Sequence, residues 1–359
     1  MNKFQSVRHR LAPQMKEYDK LVNIWKPFVM FFNQANFKSR VYNLDKFGFR
    51  FNDLSNLKNL DLEKDNSIFN EKIFSKSKET ASLVGGSSAF GTGASSDSFT
   101  VSSILSKKTN THFFNLGCSA FSGFQEIILF QTFINLLKNT KKVIIFSGLN
   151  DIFLTHYLST FDPVFGFHYF SQRYIEGMIQ STLSWKRNLV KSIFGPFIKH
   201  NANWNSVTRK QLLNFLLKKN EFKKPDLSNK KEILKDLVEK NFQFWANIQR
   251  GMGIKIIYAL QPCANWCEKD FSDEEKEIFS VTDTTTQRPY QIWKMLDKTL
   301  YTYYKNLIEE NCNHFNFDFV DCNDYFSNNN FNKQWLFVDR AHLTDLGNEK
   351  VAELIMSRL

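Results

Sequence analysis

With 359 residues, 42% of them hydrophobic and 23% charged, the chain has the composition of a globular protein able to bury one large core or two modest ones. Its 47 basic and 36 acidic residues leave a formal net charge of +11, a balance that favours anionic partners. The basic residues stand in scattered pairs such as Lys107-Lys108 and Lys141-Lys142, with no Arg-rich tail and no nucleic-acid motif; they are read as solvated helix faces, and nucleic acid is set aside as a partner. Five cysteines are too few, and odd in number, for a disulfide scaffold. Cys263 and Cys267 lack a second pair at ligand spacing, so buried free thiols are expected rather than a metal site.

In chain order, Met1 to Gln14 is polar and basic with no apolar stretch behind it, which argues against a cleaved leader. Leu21 to Phe32 is short and carries Lys26, so it cannot span a bilayer; a cytoplasmic location without an integral membrane segment is the expectation. Residues 1–78 mix helix and loop signals and are read as an N-terminal extension packing on a main domain, 79–359. Ala81 to Val84 is a short apolar run ending in Gly85-Gly86-Ser87, and a helix is expected around Ser98 to Ser106. Thr111 to Leu116 reads as a strand, Phe124 to Leu137 as a helix, and Lys142 to Phe146 as a buried strand stopping at Ser147-Gly148. A helical insertion is expected over about 152–250. Its last helix runs near Ile233 to Arg250, with Asn229 and Glu232 as a capping box. Ile254 to Leu260 is a further strand, Ser272 with Glu275 a helix start, Gln291 to Glu310 a helix and Phe317 to Val320 the final strand. Thr344 caps a closing helix, Asp345 to Arg358. Strands alternating with helices predict a three-layer α/β/α sandwich with a mostly parallel central sheet.

Ligands of such sheets sit at the carboxyl ends of the strands, and three expected strand ends carry suggestive residues: Gly85-Gly86-Ser87, Gly117-Cys118-Ser119-Ala120 and Gly148-Leu149-Asn150-Asp151. Asp339-Arg340-Ala341-His342 lies just before the last helix. A serine after two glycines can present its hydroxyl from a tight turn, and a histidine can take its proton. An aspartate three residues earlier can fix the imidazole tautomer, while backbone amides and an asparagine stabilise an oxyanion. The glycine-rich stretch Gly85 to Gly93 lacks the Gly-Lys-Ser/Thr closure of a phosphate loop, so no cofactor is expected. His112, His156 and His168 have no ligand-spaced partners and are read as structural.

Taken in order, the four segments resemble blocks I, II, III and V of the SGNH (GDSL-like) hydrolase superfamily. Block I is Gly85-Gly86-Ser87, block III is met in full by Gly148 to Asp151, and block V is met by Asp339 to His342 with Leu343-Thr344-Asp345-Leu346-Gly347 following. Block II departs from the pattern: the family's oxyanion glycine falls on Ala120, although Gly117 is an alternative marker of the turn. The resemblance covers roughly 80–152 and 250–359 and implies an SGNH (flavodoxin-like) fold. It makes Ser87 the nucleophile, His342 the base and Asp339 its orienting acid, with an oxyanion hole from the Ser87 and Ala120 amides and the Asn150 side chain. It leaves Asp151 structural. The implied activity is a serine esterase or deacylase cleaving an O-acyl ester of a small molecule or glycan, with O-acyl transfer by the same triad, or glycan binding without catalysis, as the alternatives.

Overall fold

The computed structural model describes residues 3–53, 66–70, 79–109, 111–137, 139–155, 227–284, 296, 298–328 and 330–359. The segment 156–226, with His156 and His168 and most of the expected insertion, lies outside them. So does the start of the helix expected from Gln291.

Near the N-terminus come α1 (Lys3–Leu11), α2 (Met15–Tyr18) and an antiparallel hairpin of β1 (Asn23–Lys26) and β2 (Met30–Asn33). The main sheet consists of β3 (Thr80–Gly85), β4 (His112–Gly117), β5 (Thr140–Ser147), β6 (Lys255–Leu260) and β7 (Asp318–Asp321). Its strands are all parallel, in the order β4-β3-β5-β6-β7. The helices between and after them are α3 (Ser87–Phe90), α4 (Val101–Thr109), α5 (Gly123–Thr132), α6 (Leu149–Leu154), α7 (Leu227–Met252), α8 (Asp273–Thr284), α9 (Lys298–Phe315), α10 (Cys322–Asn328) and α11 (Asp345–Met356).

Alternation along the strands divides the core in two. Val143 and Ile145 of β5, with Ile256, Tyr258 and Leu260 of β6, face one layer, packed by Ile127 and Phe130 of α5, Leu234 and Trp245 of α7 and Leu300 of α9. Ile144 and Phe146, with Ile257 and Ala259, face the other, packed by Val101 and Leu105 of α4, Ile278 of α8, Phe326 of α10 and Val351 of α11. Both faces are therefore covered by helices, the three-layer arrangement expected, and this is why the strands read as continuous apolar runs. Each fully buried aliphatic side chain contributes about 1.5–3 kcal/mol.

The helix of the β3-to-β4 crossover, α4, covers one face, and that of the β4-to-β5 crossover, α5, the other. The order reverses between β3 and β5, so the carboxyl ends of these two strands splay around a crevice. Ser87 follows the first of them and Asn150 the second.

Local signals were met unevenly. Ser272 and Glu275 form a reciprocal cap, Glu275 N donating to Ser272 Oγ at 3.3 Å and Ser272 N to Glu275 Oε2 at 2.8 Å. Thr344 Oγ1 accepts from Gly347 N at the start of α11. The expected box at Asn229 is a correction: α7 already runs from Leu227, so Asn229 sits inside the helix, not at its cap. The helix expected near Ser98 to Ser106 begins instead with a 3-10 turn, Asp97–Phe99, before α4 starts at Val101. All five cysteines are buried and unpaired as disulfides. No helix among the described residues is long and apolar enough to cross a membrane.

Candidate active site

Ser87 opens α3 directly after β3. Its neighbour Gly86 leaves room for Asn150: a Cβ there would lie 2.5 Å from Asn150 Nδ2, and that amide would have to move. Across the crevice, residues 336–344 form a tight loop in which Thr344 N donates to Leu336 O (2.8 Å) and Val338 N to His342 O (2.9 Å). Within it Asp339 folds back on its own backbone, Oδ1 accepting from Ala341 N and His342 N, each at 3.0 Å. That local turn explains the Asp-x-x-His spacing, because it brings the carboxylate under the imidazole. His342 Nδ1 lies 2.9 Å from Asp339 Oδ1 and 2.8 Å from Oδ2, and His342 Nε2 lies 2.7 Å from Ser87 Oγ. The three side chains form one hydrogen-bonded line across 255 residues of sequence.

Burial alone would raise the Asp339 carboxyl. The facing imidazole, by charge and by hydrogen bond, then the Arg8 guanidinium and the Ala341 amide, outweigh it and hold the group well below the usual carboxylate range. Asp339 is therefore ionised at neutral pH and acts as the acceptor for His342 Nδ1–H. In that tautomer Nε2 is free to accept the serine proton.

The third strand end converges on the same place. Asn150 Nδ2 donates to Phe121 O at 2.7 Å, fixing the amide between the Ser87 turn and residues 118–121. Those residues form a turn closed by Phe121 N donating to Cys118 O (3.3 Å), and Ala120 occupies its third position with φ +65°. Glycine is the usual occupant of a left-handed third position, so the departure seen in block II puts an L-residue into a glycine conformation. Gly117, the alternative marker, ends β4 and precedes the turn. Neither the Ser87 nor the Ala120 amide makes a hydrogen bond among the described residues, which leaves both as available donors. Asp151, by contrast, is buried, and its Oδ1 accepts from Gly123 N at 3.0 Å, tying α6 to the start of α5.

Several residues at this site carry no sequence signal. Ser88 Oγ donates to Ala341 O at 3.2 Å and accepts from Gln261 Nε2 at 3.1 Å, so the serine turn, the end of β6 and the His342 loop are pinned together. Ala264 N donates to Arg340 O at 2.9 Å from the same side. The N-terminal segment also takes part. Arg8 Nη1 donates to Asp339 Oδ2 at 3.2 Å, Asn33 Nδ2 reaches Gly117 O at 3.4 Å, and Gln125 Nε2 holds Val29 O at 2.8 Å. No cluster of three or more His, Cys, Asp or Glu among the described residues is arranged to hold a metal ion.

No family model matches the chain, and no curated protein matches it. Among solved structures it is similar to an acetyl xylan esterase at 14% identity, covering 77% of this chain and 99% of that one with a TM-score of 0.36. It is likewise similar to a member of the lipolytic G-D-S-L family from Veillonella parvula (11% identity, 78% and 97% covered, TM-score 0.39). An extracellular lipase from Streptomyces rimosus is a third such structure (11% identity, 78% and 100% covered, TM-score 0.40).

Proposed function

We propose that the chain is a serine hydrolase acting on ester bonds, with Ser87 as nucleophile, His342 as general base and acid, and Asp339 as the group that orients and charge-balances the imidazole. The observation that carries the reading is the unbroken line from Ser87 Oγ to His342 Nε2 (2.7 Å) and from His342 Nδ1 to an ionised Asp339 (2.8 Å). As Ser87 Oγ attacks the ester carbonyl, its proton passes to Nε2 and the imidazolium is stabilised by Asp339. Negative charge on the carbonyl oxygen is met by the Ser87 and Ala120 amides and the second amide hydrogen of Asn150. Collapse expels the alcohol with the proton from His342, and water releases the acyl group by the same steps in reverse. An O-acylated hydroxyl of a small molecule or glycan is the proposed substrate class, and the net charge of +11 suits an anionic one.

The test is fluorophosphonate labelling together with turnover of p-nitrophenyl acyl esters and acetylated sugars. Wild type is expected to label at Ser87. Ser87→Ala is expected to remain folded and to lose turnover by a factor on the order of 10⁶. Turnover surviving in folded Ser87→Ala defeats the reading. Product analysis with an added acceptor alcohol separates hydrolysis from acyl transfer.

A further inference from the structure

The N-terminal helix contributes an arginine whose placement is hard to explain as surface chemistry. Arg8 is 7% exposed, and its guanidinium forks between two carboxylates, Nη1 on Asp339 Oδ2 (3.2 Å) and Nη2 on Asp19 Oδ1 (2.5 Å). Asp19 is itself fixed by His9 Nε2 on its other oxygen at 2.7 Å, and the Arg8 guanidinium lies 4.9 Å from the centre of the Phe4 ring. Phe4 belongs to the core layer that contains β3, α8 and α11, so the helix carrying Arg8 is anchored by packing as well as by charge. Asp339 Oδ1 is occupied by two backbone amides, whereas among the described residues Oδ2 has only Arg8 besides the imidazole.

We infer that Arg8 is a positioning residue of the site proposed above, fixing the orientation of Asp339 toward His342, and that the N-terminal segment is thereby part of the machinery. The inference rests on the serine-hydrolase reading. A guanidinium suits the task because its planar fork serves two carboxylates at once, which a lysine ammonium at the same place does with poorer geometry. Arg8 is charge-balanced by Asp19, so it constrains Asp339 without cancelling the negative charge that the imidazolium needs. A cation as buried as this one needs a paired carboxylate beside it, while Asp19, whose side chain is 27% exposed, lies at the outer end of the fork. Asp339 is that buried partner, at 5% exposed.

The experiment is the second-order rate of fluorophosphonate labelling at Ser87 in full-length wild type, Arg8→Met, Arg8→Lys, Asp339→Asn and the double variant Arg8→Met/Asp339→Asn. Circular dichroism checks folding of each. Arg8→Met is expected to label roughly 10- to 100-fold more slowly, by analogy with the loss when a partner that orients a metal ligand is removed. Arg8→Lys is expected to recover part of that loss. In the Asp339→Asn background the same Arg8→Met change is expected to cost under about 2-fold, because its effect passes through the carboxylate. A wild-type rate in folded Arg8→Met overturns the inference, and so does an equal loss in both backgrounds, which would mean Arg8 acts elsewhere. If Arg8→Met does not fold, the cycle is run with Arg8→Gln under the same two criteria. Absence of labelling in wild type overturns the hydrolase reading itself and this inference with it.

Discussion

Ala120 shows how a single residue can hold local strain beside a candidate site. Its φ of +65° is a conformation that costs an L-residue roughly 1–2 kcal/mol, while glycine there gives back about 0.5–1 kcal/mol through the freedom of the unfolded chain. Ala120→Gly is therefore expected to raise stability by about 0.5–1 kcal/mol, read as a higher urea midpoint at unchanged slope. A lower midpoint would mean the Ala120 methyl is packed well enough to outweigh the strain. Asn150→Ala is expected to slow turnover by a factor on the order of 10² to 10³ with the fold intact, as for loss of one oxyanion donor. A slowing under about 3-fold would remove Asn150 from the proposed hole. Asp151, one residue on, behaves differently. Burial pushes its carboxyl up from 3.8 to about 6, against the Gly123 and Tyr304 hydrogen bonds that lower it. The folded chain thus holds a proton that the unfolded chain releases between these values. Stability from this group is fully present below about pH 4 and is lost as pH rises through about 6, by roughly 3 kcal/mol. Glu126, buried beside it, is pushed the same way. Asp151→Asn is expected to flatten the pH 4–6 segment of a Tm profile and to raise Tm at pH 8. An unchanged profile would contradict the sign.

Elements differ in how far their partners can be foreseen. The strands were legible because parallel strands covered on both faces must be apolar at nearly every position, as Val143 to Phe146 and Ile256 to Leu260 are. The β1–β2 hairpin was not, since its strands are four residues each and its tip holds Phe28 at φ +66°, where Gly or Asn would have flagged the turn. Ser272 and Glu275 announced the start of α8, because a capping box is local. Nothing local shows that Glu275 Oε1 also accepts from Leu336 N (2.9 Å) and Phe337 N (3.0 Å), holding the loop that leads to Asp339. Glu275 and Lys269 are paired at 2.7 Å with 0% and 1% of their side chains exposed. Glu275→Gln leaves that ammonium buried without its counter-charge and is expected to cost about 3–5 kcal/mol in urea unfolding, with slower Ser87 labelling. A loss under about 1 kcal/mol would show that Lys269 reaches water when the pair is broken. The four site segments could be placed because each is a short motif at a strand end or helix start. Arg8 was invisible, because the carboxylate it serves lies 331 residues away and no spacing rule connects them.

At the scale of the whole molecule, the strand order puts the crevice between β3 and β5, and the last loop before α11 closes over it. Residues from α1, α3, the turn after β4, the start of α6 and the 336–344 loop are thereby linked by successive contacts, although none is near all the others in the chain. This arrangement has a consequence during synthesis. The strand that presents Ser87 is made early, but the hydroxyl lacks its imidazole partner until residue 342 has cleared the ribosome, some 255 residues later. On the proposed hydrolase reading, a nascent chain is therefore chemically silent toward esters for most of its time in translation. Closure of the longest loops, which is slow by its entropy, would be the step that switches reactivity on.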